Sequence, residues 1–484
     1  MPAAVRPTIL LRTATLVLAT AAGCASTKPR APAQPVTVQP VKVQPIALTQ
    51  TSVVPAPALA QPIATTQPAT PQQPVPEGLP PRAPGEELPR AAPEGLTVAD
   101  LEYMALGSNP SLARAQAAVA AARGNWVQVG LPNNPLVGYL GAQLGSGGLA
   151  EQHAAMFEQE FITGGKRRLN RAEAEQRIVI AEQQLAAQQQ RVLSDVRLAF
   201  YDALLAQQKL KLAEQLLNVA QQGQSAADRL HKAGETSRVD LIQSNLEVES
   251  AQIELNKAAN QHTYVWMSLS AVLGLPHLSP STLRGDLESA PTGLVWDQTL
   301  AQLLATSPEL AAAMSEIERA RWAVARARAQ VIPNVRVQGG VNTPDNGIHG
   351  KTDGFVQVMV PLPILNRNQG AIAQAQAEVA AAERAIQQLE LDLQNRLAPV
   401  FQRYTTAASQ VRRYRERILP QAAESLTLVR RGYEAGEFPY LLLLNSQRTN
   451  FQTNLQYLES LRELWASSVE IEGLLLRDSL SQRP

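Results

Sequence analysis

Glu160-Phe161-Ile162-Thr163-Gly164-Gly165-Lys166-Arg167-Arg168 and Pro361-Leu362-Pro363-Ile364-Leu365-Asn366-Arg367-Asn368-Gln369-Gly370 are the two stretches whose reading decides the fold. Before each lies an alternating run with one apolar and one polar face. After each the composition turns to Ala, Leu, Gln, Arg and Glu, with apolar residues three and four apart. At both places the periodicity switches from that of a strand to that of a helix.

The two junctions belong to a repeat. Residues 96–276 and 294–476 carry the same landmarks in the same order. Asn109-Pro110 matches Ser307-Pro308 at 198 positions, and Pro132 matches Pro333 at 201. Residues 163–167 match 364–368 at 201, and Ala233-Gly234-Glu235 matches Ala435-Gly436-Glu437 at 202. So long a spacing excludes a solenoid and indicates a duplicated, domain-sized unit.

Downstream of the first junction, residues 166–229 contain no proline and one glycine, Gly223. As a helix they would span about 95 Å. Val192, Val196, Ala199, Ala203, Ala206, Leu210, Ala213, Leu217 and Ala220 form a coiled-coil seam. Leu198, Leu205, Leu212, Leu216 and Val219 form a second on another face. A simple two-stranded coil needs one seam; two predict neighbours on both sides, as in a wall. The second unit repeats the design over residues 369–431, with Pro399 and Pro420 as expected kinks or breaks.

Upstream, residues 135–144 and 152–162 flank a loop, Gly145-Ser146-Gly147-Gly148, and 334–342 and 354–361 flank a second. Val335, Val337, Gly339 and Val341 alternate with Arg336, Gln338, Gly340 and Asn342. Runs of about ten residues with one apolar face are the weak signature of outer-membrane strands. Four strands cannot close a barrel, and lipid does not tolerate open edges. Several chains must pool their strands, and a trimer with about twelve is the smallest symmetric answer that encloses a pore. The expected fold is mainly α with a small β part.

The 484 residues carry a net charge of +1 and one cysteine, which excludes a disulfide scaffold or thiolate metal site within the chain. The balanced charge gives no electrostatic reason to expect nucleic acid as a partner. Beyond the N-terminus no apolar run is long enough for a transmembrane helix. Seventeen of the 34 prolines fall between Pro29 and Pro93, in a stretch that reads as an extended tether. The N-terminus reads as an export signal: Arg6 and Arg12, a short apolar stretch, then Ala21-Ala22-Gly23-Cys24. That ending resembles a bacterial lipobox, whose cysteine is lipidated; the other reading is an ordinary signal peptide with a chance cysteine. The expected organisation is a signal peptide over 1–23 and a lipidated Cys24 with its Pro-rich tether over 24–95. A first repeat then covers 96–293 and a second 294–484.

Two tandem units, each with a short helix, a strand pair, a very long helix and a Gly-marked tip, resemble the TolC-like outer-membrane efflux proteins. The resemblance covers roughly residues 96–476, and the two junction sequences are most similar to the heavy-metal, CzcC-like branch. It implies a homotrimer with a shared 12-stranded β-barrel among outer-membrane lipid and an α-helical tunnel built from long hairpins. It also implies a passive exit duct working with a periplasmic adaptor and an inner-membrane RND pump, carrying heavy-metal cations, or alternatively a TolC-like duct for drugs and other organic compounds or for secreted protein. The tips Ala233-Gly234-Glu235 and Ala435-Gly436-Glu437 match the family's adaptor-docking motif, with alanine in place of valine. The prototype narrows its entrance with acidic side chains six and nine residues past the second tip glycine. Those positions are Leu442 and Asn445 here, and Asp240 and Gln243 in the first unit. Asp240 would form one ring of three carboxylates, or else is a solvated charge at a helix N-terminus. The four leucines 441–444 would make the rest of the closure apolar.

No chemistry-bearing constellation stands out. His153, His231, His262, His277 and His349 are scattered, with no pair at metal-ligand spacing, and no cofactor is implied. Thr163-Gly164-Gly165-Lys166 lacks the spacing of a phosphate loop. An enzyme is not expected. Two readings stand: the transport duct, and a lipid-anchored periplasmic coiled-coil adaptor or structural protein. An adaptor has one helical hairpin, whereas this chain has two hairpins and two strand pairs.

Overall fold

The computed structural model describes residues 95–142, 152–290, 293–343 and 352–480, all within a unit spanning 84–484. The signal, Cys24, the tether, His349 and most of both interstrand loops lie outside the described residues. In chain order the elements are α1 (Val98–Ser108), α2 (Pro110–Gln128), β1 (Leu136–Ala142), β2 (Gln152–Phe161), α3 (Lys166–Lys232) and α4 (Arg238–Leu273). The second half follows with α5 (Trp296–Thr306), α6 (Pro308–Ala329), β3 (Val335–Asn342), β4 (Asp353–Met359), α7 (Gln369–Arg413), a π-helical turn (Tyr414–Ile418), α8 (Leu419–Glu434) and α9 (Tyr440–Glu472). The fold is mainly helical with a small sheet, in two tandem copies.

Local chemistry sets the boundaries. Asn109 and Ser307 cap α2 and α6, and Pro110 and Pro308 take the first helical position, where no amide is needed. The turn into each long helix is left-handed, Gly164 and Gly165 both at φ +66° before α3 and Asn368 at +57° before α7, the residue types that bear this best. The second long helix opens two residues later than the 201 offset predicts, because Pro361 and Pro363 keep its connection extended. Pro399 lies inside α7 without ending it; Leu393, Leu397 and Val400 around it are buried, and that packing holds the helix. Pro420 does perturb its helix: the π turn directly precedes it, where the carbonyl of Glu416 loses its amide partner.

The helices form four rods. Ser108 Oγ and Asn109 Nδ2 donate to the carbonyls of Leu273 (2.6 Å) and Val272 (2.8 Å), so α2 begins where α4 ends. Gly473, just past α9, lies against Ser194 of α3, and Arg191 of α3 meets Glu309 at the start of α6 at 3.3 Å. Here too one helix begins where the other ends. Packed side by side, the rods run α4/α2, α3, α9/α6, α7–α8. The antiparallel sheet runs β1-β2-β3-β4. Because α2 leads to β1, β2 into α3, α6 to β3 and β4 into α7, each strand continues one rod, in the same order. Sheet and rods alike end in two edges that lack a neighbour among the described residues.

At mid-length α1 and α5, with residues 275–290, cover α3 and α7. Phe200, Leu101, Leu269, Leu393, Leu397 and Leu461 are fully buried there, each contributing about 1.5–3 kcal/mol by leaving water. Trp266 Nε1 donates to the Leu278 carbonyl (3.0 Å) and Trp465 Nε1 to that of Leu287 (2.9 Å), a further repeated landmark. The first seam of α3 is buried at Val192, Val196, Ala203, Ala206, Ala213 and Ala220; of the second, Leu205 is buried and the rest half-buried. The two seams meet the rods on either side.

Candidate functional site

Strand register assigns the two faces of the sheet. Val137, Phe157, Gly339 and Val356 pair across it in one row, and Tyr139, Ala155, Val341 and Gly354 in another. Gln159, Val337 and Val358 continue this face, which is almost wholly apolar and exposed, with Val137 at 83% and Val356 at 79%. The opposite face carries the rows Leu136–Glu158–Gln338–Gln357, Gly138–Met156–Gly340–Phe355, Leu140–Ala154–Asn342–Asp353 and Glu160–Arg336–Met359, a mixture of apolar side chains with all of the sheet's carboxylate and guanidinium groups. Its charges are internally matched: Arg336 Nε lies 3.0 Å from Glu158 Oε1, and Asn342 Nδ2 donates to Asp353 Oδ1 at 2.8 Å. An apolar exposed face backed by one that holds all the carboxylate and guanidinium groups of the sheet suits a position between lipid and an aqueous pore. No helix among the described residues is long and apolar enough to cross a membrane.

Where sheet meets helices, a polar knot joins three rods. Glu160 accepts from Asn334 Nδ2 (2.9 Å) and from Asn133 Nδ2 (2.6 Å), while Lys166 Nζ donates to Asn334 Oδ1 at 2.7 Å. Thr163 Oγ1 donates to the Pro333 carbonyl. Lys166 is buried, which pushes its ammonium below the usual lysine range; the Glu160 carboxylate opposes that shift. Sequence reasoning noticed the prolines here and missed the asparagine after each, although Pro132-Asn133 and Pro333-Asn334 repeat at the same offset.

At the far end, both tips are tight turns. Gly234 and Gly436 share φ +76°, and the amides of Glu235 and Glu437 donate back to the carbonyls of Leu230 (2.9 Å) and Gly432 (2.8 Å). Ala233, Gly234, Glu235, Ala435, Gly436 and Glu437 are all exposed. Asp240 closes a capping box on α4: its Oδ2 accepts from the amide (3.3 Å) and hydroxyl (3.0 Å) of Ser237. Gln243 is half-buried, and Leu442 and Asn445 are exposed. Of the four leucines, only Leu441 and Leu442 face outward. Leu443 and Leu444 pack with Tyr433 and Tyr440 in a small separate core.

The tips also lean on each other. Glu247 of α4 is buried and accepts from Arg448 of α9, Nη2 at 2.6 Å and Nε at 3.2 Å. Burial, reinforced by Glu247, pushes the Tyr440 phenol up to about 12; burial and nearby Asp240 raise that of Tyr433. Sequence reasoning missed this pair, which no local motif marks. His153 meets Tyr139 at the loop end of the sheet, and His231 Nδ1 lies 3.1 Å from the Thr236 carbonyl at a tip. Among the described residues no group of three metal-ligating side chains occurs.

A model of the outer membrane efflux protein family matches residues 101–275 and 299–475, one span in each repeat. The cobalt-zinc-cadmium resistance protein CzcC of Cupriavidus metallidurans is 27% identical over 255 residues, 53% of this chain and 60% of that protein. The pyoverdine export outer membrane protein OpmQ of Pseudomonas putida is 26% identical over 242 residues, 48% of this chain and 50% of that protein. The chain thus spans between half and three-fifths of the length of these relatives. Among solved structures, the open-state MtrE outer membrane channel of Neisseria gonorrhoeae has a TM-score of 0.61 at 20% identity, covering 78% of this chain and 88% of that one, a likeness of fold. With both repeats matched in the order in which they build the rods and the sheet, the chain belongs to the outer membrane efflux protein family.

Proposed function

We propose that three copies of this chain close into a passive exit duct, the outer-membrane channel of a tripartite RND-type efflux system. One observation carries the reading: sheet and rods share one order and leave the same two edges open. A single rotation can therefore seal a 12-stranded barrel and a 12-rod tunnel together. The apolar sheet face then meets lipid, and the mixed face with Glu158, Glu160, Arg336 and Asp353 lines the exit. Residues 96–293 and 294–484 act as the two repeats, behind a signal peptide (1–23) and a tether (24–95) whose Cys24 is lipidated in the outer membrane. The exposed turns 233–235 and 435–437 are the docking points for a periplasmic adaptor. Asp240, Gln243, Leu442 and Asn445 constrict the entrance; the second oxygen of Asp240, which the capping box leaves unused, supplies its charge. No step of this function requires catalysis or a cofactor.

The test is heat-modifiable, SDS-resistant trimer in the outer-membrane fraction together with single-channel conductance in a planar bilayer. Absence of both rejects the duct. For cargo, the resemblance to CzcC favours metal cations, and the OpmQ relative keeps an organic cargo in play. A deletion strain that becomes sensitive to cobalt, zinc or cadmium supports the first; sensitivity only to organic compounds supports the second.

A further inference from the structure

The internal repeat makes the contact between α3 and the α9/α6 rod, seen within one chain, the template for the contact between copies. In-chain pairs obey the repeat: Arg123–Glu182 joins α2 to α3, and Arg321–Glu383 joins α6 to α7 at offsets of 198 and 201. Within the chain, the connection before α3 seats on the turn after α6. Gly164 packs on Ile332, Thr163 donates to Pro333, and Lys166 fills the Oδ1 of Asn334. The equivalent turn after α2 is Leu131-Pro132-Asn133. Asn133 Nδ2 already holds Glu160, as Asn334 Nδ2 does, but its Oδ1 has no donor among the described residues. On the opposite edge the connection before α7 carries Arg367, which occupies the offset position of Lys166. Its exposed guanidinium has no acceptor among the described residues, and Leu365 beside it is 89% exposed.

We infer that Arg367 of one copy donates to Asn133 Oδ1 of the next, with Leu365 seated against Leu131, so that each seam between copies repeats the knot seen inside the chain. The inference rests on the ring-closure reading and names the residues that lock it. Arginine is the longer side chain, and its reach offsets the two-residue delay in the start of α7. An unfilled acceptor on one edge and an unspent donor with exposed apolar neighbours on the other suit a second copy of this chain.

The test uses the full-length protein in outer membranes. Asn133→Cys and Arg367→Cys are introduced together, with a short bis-maleimide as bridge and each single variant as control. A ladder of covalent dimer and trimer in the double variant alone is expected. Arg367→Ala should also lower the temperature at which the SDS-resistant oligomer dissociates, and Arg367→Lys should restore most of it. Trimer by native mass spectrometry with no ladder, or with unchanged dissociation of Arg367→Ala, overturns the seam while leaving the duct standing. A strictly monomeric unmodified protein overturns the duct itself, and the seam with it.

Discussion

If Cys24 is acylated in the outer membrane, the tether must climb from the middle of the molecule, and the structure sets how far. Leu96 pairs with the backbone of Thr282 and Arg284, and the amide of Leu283 donates to Gln207 Oε1 at 3.2 Å. Gln207 lies 41 residues down α3 from Lys166, where the sheet begins, a drop of about 62 Å at 1.5 Å per residue. An extended chain covers about 3.3 Å per residue, so about 19 residues suffice. The chain has 71 between Cys24 and Leu96. Internal deletions leaving about 30 residues, a reach of about 100 Å, should therefore give full fatty-acid labelling and full SDS-resistant trimer. Deletions leaving about 12, a reach of about 40 Å, should lose one or the other. The same short variant behind a non-lipidating signal peptide should assemble normally. Loss of trimer with 30 residues left would mean that the tether does more than reach. Full labelling and assembly with 12 would refute the geometry.

Three further outcomes are expected. Arg448→Ala leaves the Glu247 carboxylate buried without its partner and should cost about 2–3 kcal/mol locally. It should speed amide exchange in α4 and α9 next to the tips, and adding Glu247→Gln should recover part of the loss; unaltered exchange refutes the coupling. Asp240→Asn keeps an acceptor for Ser237, so stability should change by less than about 0.5 kcal/mol while a charge is lost. Block of the channel by polyvalent cations should weaken, and an unchanged block rejects the ring of carboxylates. Burial, with Glu472 reinforcing it, pushes Tyr201 up to about 12, the level that Tyr440 also reaches. Between pH 10 and 12 the unfolded phenols lose protons that the folded ones keep, so stability should fall as pH rises through this window. Alkaline melting of Tyr440→Phe should show a shallower fall; an identical slope refutes the assignment.

What could be read in advance was what local physics writes into sequence. Gly165, Gly234, Gly436, Pro110 and Pro308 punctuate the chain because each backbone position there needs that residue type, and their repetition exposed the duplication. The alternation around Val335 survives in the sheet because one face must stay apolar. Sequence reasoning weighs Asp240 as a pore carboxylate or a charge at a helix N-terminus and passes over Ser237, whose capping box with it makes Asp240 first a structural residue. Four consecutive leucines cover about 300° of a helix circumference, so 441–444 could not all face one way. Other features lay beyond any local pattern. The join of α2 to α4 depends on Asn109 meeting the end of a helix more than 160 residues away. The Glu247–Arg448 pair depends on two tips meeting across 201 positions. Such contacts become visible only once the rods stand side by side.

The shared order of strands and rods places unequal demands on the two ends of the molecule. In lipid, each unpaired backbone group at the outer edges of β1 and β4 costs several kcal/mol, and no side chain can compensate along a whole strand. The helices satisfy their own backbone, so their open edges forgo only side-chain contacts such as those at Leu246 or Leu428, both exposed. In the proposed trimer, closure is therefore obligatory at the sheet and merely favourable along the rods. In the proposed duct, a single copy would not rest in the membrane with its sheet formed, and pairing of β4 with the next copy's β1 would accompany insertion rather than follow it. The polar knot at Glu160, Asn334 and Lys166 sits at the boundary between these two regimes. It is the point nearest lipid at which side chains, rather than backbone, can set how one rod meets the next.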